Sequence, residues 1–201
     1  MTPTGIAQIE HGKAFWKKAL ADSKMPSPEY YYVSPLMRCL ATAEITFWGL
    51  QVPNDRPFEP EVKELLRETI GVHTCDKRSS KSDILTSYPY VNFERGFAEN
   101  DPFWEPQLRE PPKATEARLS ELLDDIFQNE KRTWLSLTSH SGAIAAILAV
   151  LHHRPFQLPT GGAIPVLVKA RWVEGAAPST KIPPAIPPPT CSVMPTSSKP
   201  T

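Results

Sequence analysis

Apolar positions along the 201-residue chain fall into runs whose period switches between helix-like and strand-like. Between residues 4 and 21, Ile6, Ile9, Phe15, Trp16, Ala19 and Leu20 recur at roughly helical spacing, with Thr4 available as a cap. After the breakers Pro26 and Pro28, YYYVSPL gathers aromatic and β-branched residues and ends at Ser34-Pro35, the profile of a buried strand. MRCLATAEITFWGL resumes the helical pattern, and residues 60–70 predict a further helix that stops at Gly71. The stretch from Tyr88 to Pro112 is rich in Pro, Asn, Gly and aromatics, which predicts a long functional loop or lid.

Residues 113–130 return to a helix, with Leu119, Leu122, Leu123, Ile126 and Phe127 on one face and Glu121, Asp124 and Asp125 toward water. TWLSLTS then predicts a strand, GAIAAILAVLHH a helix, and IPVLVKARW a last strand after Gly161-Gly162. Strands alternating with helices indicate an α/β layered domain over residues 1–174, and no internal repeat is visible. From residue 175 the composition shifts, because this short end holds eight of the 23 prolines and no acidic residue. Residues 175–201 therefore read as a disordered Pro-rich tail. The Pro-Pro-Pro run within it favours polyproline II, which could meet an SH3 or WW domain or could be solvated slack.

Charge changes the picture by exclusion. Basic and acidic residues number 22 each, which removes the electrostatic argument for nucleic acid or an anionic membrane surface as partner. Any anion must be bound locally. Cys39, Cys75 and Cys191 are few and far apart, with neither a C-x-x-C pair nor a second cluster to complete a zinc site, so a reducing compartment and no metal are expected. The first residues lack a basic and an apolar region, and no run approaches 18 apolar residues; a soluble, cytoplasmic protein without a signal peptide is the expectation.

In an open α/β sheet, ligands bind outside the carboxyl ends of strands, where helix N-termini present unpaired N–H groups. Two such junctions carry polar residues: VSPLMRCLATA with Arg38, and LTSHSGAIA with His140. A guanidinium in a first helical turn offers a planar fork to a phosphate; the plainer alternative is a solvated or salt-bridged arginine. An imidazole at a strand end, beside the small residues Ser141 and Gly142, can donate to a phosphoryl oxygen; the plainer alternative is a histidine capping the helix or filling a polar gap. A serine-hydrolase role for Ser141 finds no support, since G-x-S-x-G is absent.

Taken together, VSPLMRCLATA resembles the S-P-L-x-R-x-x-x-T-A element of the histidine phosphatase superfamily, the phosphoglycerate mutase-like proteins, and LTSHSGAI resembles its second histidine element. LLRETIGVHTCDKRSSKSD is similar to the region that supplies the acid, and TGGAIPVLVKA to the closing strand of fungal members, so the likeness spans about residues 2–171. The resemblance implies a three-layer sandwich with a mostly parallel central sheet flanked by helices, and phosphohistidine chemistry on a small phosphorylated metabolite without cofactor or metal. It assigns phosphate binding to Arg38, phosphate binding and catalysis to His140, and the acid to Glu68, with Glu64, Glu94 and Glu99 as competitors. Glu68 stands three residues before Gly71 where the usual pattern has four.

The family's Arg-His-Gly signature, which supplies the nucleophile at the end of a first strand, does not occur in the 201 residues. Glu10-His11-Gly12 does not replace it, because His11 lies in a helical pattern and Glu10 would oppose an anion; His73, His152 and His153 match no nucleophile position either. The expectation is a fold lacking its first strand, through a late gene start or genuine degeneration. Exposed ladder edges, poor solubility in isolation and an impaired phosphatase or non-catalytic phosphate-binding scaffold would follow.

Overall fold

A computed structural model describes residues 1–22, 25–171 and 174. Four parallel strands form the sheet in the order β3-β2-β1-β4, with β1 at Tyr30–Val33, β2 at Glu61–Val62, β3 at Asn92–Phe93 and β4 at Leu135–Thr138. Five α-helices accompany them among the described residues: α1 Pro3–Ala21, α2 Met37–Phe47, α3 Lys81–Ser87, α4 Pro112–Asn129 and α5 Ser141–Val150.

Strand β1 is central, and its period of two divides the core. Tyr31 and Val33 face one layer, where Val33 packs with Cys39, Leu40 and Ala43 of α2 and Ile84 of α3, and Tyr31 with Phe47 and Trp16 of α1. Tyr32 faces the other, against Leu119, Leu122 and Ile126 of α4 and Ala143 and Ala146 of α5. With both faces covered, the aromatic and β-branched run YYYV is the composition such a strand needs. The result is an α/β fold with a four-strand parallel sheet flanked by helices.

Helix α1 starts earlier than the apolar period suggests. Thr2, not Thr4, is the cap: its Oγ1 accepts from Gly5 N at 3.1 Å, and Pro3 occupies the first helical position, where a missing N–H costs nothing. Helix α3 carries a cap the periodicity cannot reveal, Ser80 Oγ accepting from Asp83 N at 3.0 Å.

Two predicted elements are corrected. Residues 60–70 are not a helix: Glu61 and Val62 pair with Tyr32 and Val33 of β1, a single 3-10 turn follows at Glu64–Leu66, and the chain runs on extended through Arg67. The spacing of Val62, Leu65 and Leu66 imitates a helix face, but Lys63, Glu64 and Arg67 are buried too, so no polar face exists. Residues 164–171 join no strand among the described residues, and Leu167 is 98 % exposed. β-propensity there lacks the ladder partner that makes it a strand. Trp172 and the tail at 175–201 lie outside the described residues.

The 88–112 segment, expected as a loop or lid, holds β3 and is pinned from below. Arg78 donates to the carbonyls of Ala98 at 2.7 Å, Asn100 at 2.8 Å and Glu99 at 3.2 Å, and Asp101 takes both terminal nitrogens of Arg67 at 2.7 Å. No helix among the described residues is long and apolar enough to cross a membrane.

Candidate active site

The register of β1 and β4, with Val33 opposite Thr138, sets the carboxyl ends of the two strands side by side. Ser34 N donates to Thr138 O at 3.0 Å, and one residue further on each strand the chain turns toward its helix. Arg38 lies in the first turn of α2, while His140 occupies the N-cap position of α5 without capping it through its side chain. The imidazole turns instead toward β1. Arg38 Nε donates to His140 Nδ1 at 3.3 Å, and His140 Nε2 stands 3.0 Å from Ser34 Oγ.

These contacts determine the tautomer. A guanidinium has no lone pair to offer, so Nδ1 must accept, and the ring proton sits on Nε2, donated to Ser34. Burial, and after it the charge of Arg38, push His140 down to about 3, consistent with a neutral ring. Because the folded ring resists a proton that the unfolded chain accepts near pH 6.5, stability is untouched above that pH and falls steadily as pH drops from about 6.5 toward 3. Urea midpoints of the protein and of His140→Gln between pH 7 and 4.5 check this: the variant should lose less stability on acidification.

Arg38 is held by three partners. Besides His140, its Nη1 donates to Cys75 O and its Nη2 to Asp76 Oδ1 at 3.1 Å. Asp76 is almost wholly enclosed, and its second oxygen accepts from Arg109 Nη1 at 2.7 Å. Arg109 in turn donates to the carbonyls of Gly71 at 2.7 Å and Thr69 at 3.1 Å. Asp76 thus aims one arginine at the strand ends while fastening the 69–76 loop with another. Gly71 makes this crossing possible: its φ is +93°, and a Cβ there would lie 1.8 Å from Leu108 O. Val72 follows with φ of 65°, a strained choice for a β-branched residue.

Glu68 reaches the same cavity from the segment after β2. Its Oε2 accepts from Gly142 N at 3.1 Å, filling one orphan donor of α5, and its Oε1 accepts from Thr69 N at 2.9 Å. A Cβ at position 142 would stand 2.2 Å from Glu68 Oε1, so a larger residue there would displace the Glu68 carboxylate. Arg118 supports the segment from behind, donating to the carbonyls of Leu65, Arg67 and Glu68 and pairing with Glu110 at 2.7 Å. Arg38, Glu68 and His140 line one cavity of about 400 Å³, with Thr42, Ile9 and Leu158 on its walls.

The competing carboxylates are placed elsewhere. Glu64 pairs with Arg67 and Arg78 in the interior, Glu94 accepts from Glu64 N and faces Lys63, and Glu99 accepts from Ser82 N. His11 is an exposed residue of α1, and His152 and His153 follow the end of α5. Ser34, Asp76 and Arg109 are the members of this constellation that sequence reasoning did not single out; Asp76 stands inside the acid-region motif, but only the fold shows that it meets Arg38.

Residues 1–165 match the family model for the histidine phosphatase superfamily (branch 1). The chain belongs to this superfamily. Among its histidine phosphatase relatives, a probable phosphoglycerate mutase of Arthroderma benhamiae is 51% identical over 169 residues, which cover 84% of this chain and 50% of that protein. Phosphomutase-like protein 3 of Candida albicans is 37% identical over 169 residues, covering 84% of this chain and 51% of its own. The chain therefore spans about half the length of these curated relatives. Among solved structures, a mycobacterial glucosyl-3-phosphoglycerate phosphatase aligns with a TM-score of 0.44 at 19% identity, over 80% of this chain and 70% of that one. A Bombyx mori ecdysone phosphate phosphatase in complex with tungstate aligns at 0.45 and 15%, over 86% and 63%.

Proposed function

We propose that the cavity of Arg38, His140 and Glu68 binds the phosphoryl group of a small phosphomonoester, and that hydrolysis of that ester is the chemistry for which the site is built. The observation that carries this reading is the direct contact of Arg38 with His140 across the ends of neighbouring parallel strands, in a cavity that Glu68 also lines. Phosphoryl transfer asks chiefly for positioning and charge stabilisation. Arg38 supplies fixed positive charge, and His140 supplies an Nε2–H that a phosphoryl oxygen can take over from Ser34. Glu68, which lines the cavity and accepts from Gly142 N, is on this reading the group that hands a proton to a leaving oxygen.

Since no Arg-His-Gly occurs in the 201 residues, the reading for this chain by itself is phosphate binding with impaired turnover. The same fact favours a second reading, a non-catalytic phosphate-binding scaffold. Titration with inorganic phosphate, followed by calorimetry, tests the binding they share. Saturable binding is expected, retained by His11→Ala and lost in His140→Ala; no saturable binding in the unaltered chain sinks both readings. Slow hydrolysis of p-nitrophenyl phosphate that disappears in His140→Ala selects the enzyme, and phosphate binding without it selects the scaffold.

A further inference from the structure

The turn that aims Arg38 also carries an unused donor set. His73, Cys75 and Asp76 each offer one ligand atom, and these atoms all lie within 4.8 Å of one another. His73 Nδ1 is 3.8 Å from Asp76 Oδ2, and Cys75 Sγ is 3.8 Å from Asp76 Oδ1. Around a tetrahedral zinc ion, with bonds of about 2.0–2.3 Å, ligand atoms stand roughly 3.3–3.6 Å apart. These two distances involve different oxygens of Asp76, so with one oxygen as the ligand one pair draws in by a few tenths of an ångström and the others close from within 4.8 Å.

We propose that His73, Cys75 and Asp76 form a binding site for a borderline divalent cation of the Zn²⁺ type. Imidazole nitrogen, thiolate sulfur and one carboxylate oxygen favour such an ion over Mg²⁺ or Ca²⁺, which prefer all-oxygen shells. Three protein ligands leave a fourth position for water, the arrangement of an open rather than a closed zinc site. Access is direct, since the His73 side chain is 63% exposed and Cys75 is exposed as well. On binding, the Cys75 thiol releases its proton to solvent, and His73 coordinates through its neutral ring.

The backbone beneath the cluster is already fixed. Asp76 N donates to His73 O at 3.0 Å within the 3-10 turn Thr74–Asp76, Trp104 Nε1 donates to the same carbonyl at 3.0 Å, and Arg67 Nη2 donates to Asp76 O at 2.7 Å. The backbone is thus ordered before an ion arrives, and what remains to fix is the rotamers of the exposed His73 and Cys75 side chains. Opposing the ion are the two guanidiniums on Asp76. Arg109 keeps the Thr69 and Gly71 carbonyls when Oδ2 turns to a metal, and Arg38 keeps Oδ1, so the carboxylate can serve both without freeing either arginine. Their charge lowers affinity below that of a closed thiolate site and ties the cation electrostatically to the phosphate cavity.

Cobalt(II) titrated into the full chain under a non-thiol reductant tests the site. The expected result is one equivalent bound with intense four-coordinate visible bands and an ultraviolet thiolate-to-cobalt charge-transfer band, both displaced by Zn²⁺ but not by Mg²⁺. Cys75→Ser should abolish the charge-transfer band, Cys191→Ser should leave it, and His73→Ala should weaken binding about tenfold or more. Both altered ligands are exposed, so unchanged circular dichroism certifies the fold. Absence of the charge-transfer band, or its survival in Cys75→Ser, overturns the proposal.

Discussion

Arg67→Met is expected to cost the fold about 3–5 kcal/mol, the range for removing one partner of a buried ion pair. Arg67 is fully enclosed, donates to Asp101 through both terminal nitrogens at 2.7 Å, and reaches Glu64 at 3.0 Å. Burial by itself would raise Asp101, but the Arg67 fork and the amides of Arg78 and Phe103 bring it down to about 2. Without the guanidinium, two carboxylates stay interior with half their compensation gone. Against a typical total of about 5–15 kcal/mol, that loss places the chain near unfolding. A urea midpoint lowered at unchanged slope is the expected readout at pH 7. The deficit should shrink as pH falls, because an Asp101 released from Arg67 loses its leading lowering partner and takes up a proton at higher pH than the native carboxyl does. A midpoint equal to that of the unaltered protein at pH 7 would show that packing, not charge pairing, holds this region.

Arg38→Met should weaken phosphate binding roughly 10- to 150-fold, the equivalent of the 1.5–3 kcal/mol of a hydrogen bond to a charged group. Arg38→Lys should fall between, since an ammonium keeps the charge but loses the fork that spans His140, Cys75 and Asp76. Asp76 remains paired with Arg109 in either variant, so the loop beneath the site should stand. The His140 ring offers an independent readout: with the neighbouring guanidinium gone, one cause of its depressed pKa is removed, and its titration followed by NMR should move upward. Unchanged phosphate affinity in Arg38→Met would exclude this arginine from the anion site.

Legibility in the sequence followed regularity of environment. α2 and α4 were readable because each buries one helical face, α4 with Leu119, Leu122 and Ile126 inward, and β1, β4 and α5 because their apolar runs are bounded by breakers or polar turns. Residues 60–70 were not, because Arg67 and Glu64 are charged groups paired inside the protein, whereas a reading by polarity sends them to water. The segment 164–171 misled in the opposite sense, with apolar composition but no ladder. At the site, Arg38 and His140 stood out because strand-to-helix junctions are positions where parallel sheets concentrate ligands. Asp76 and Arg109 left no such trace. They sit 33 residues apart outside the α-helices and the four strands, and the chain passes through left-handed Gly71 and Val72 before Asp76 meets Arg109.

Among the described residues β4 pairs only with β1, and the half-exposed indole of Trp134 leads into it. Formal charges sum to zero, with an isoelectric point near 7.0. Around neutrality, then, molecules meet without a Coulomb barrier, and the edge of β4 away from β1, which has no ladder partner among the described residues, is where another chain would pair. Colloidal stability should therefore be poorest at physiological pH and improve in buffers a unit or two to either side, a practical guide for handling this polypeptide at the concentrations that calorimetry demands.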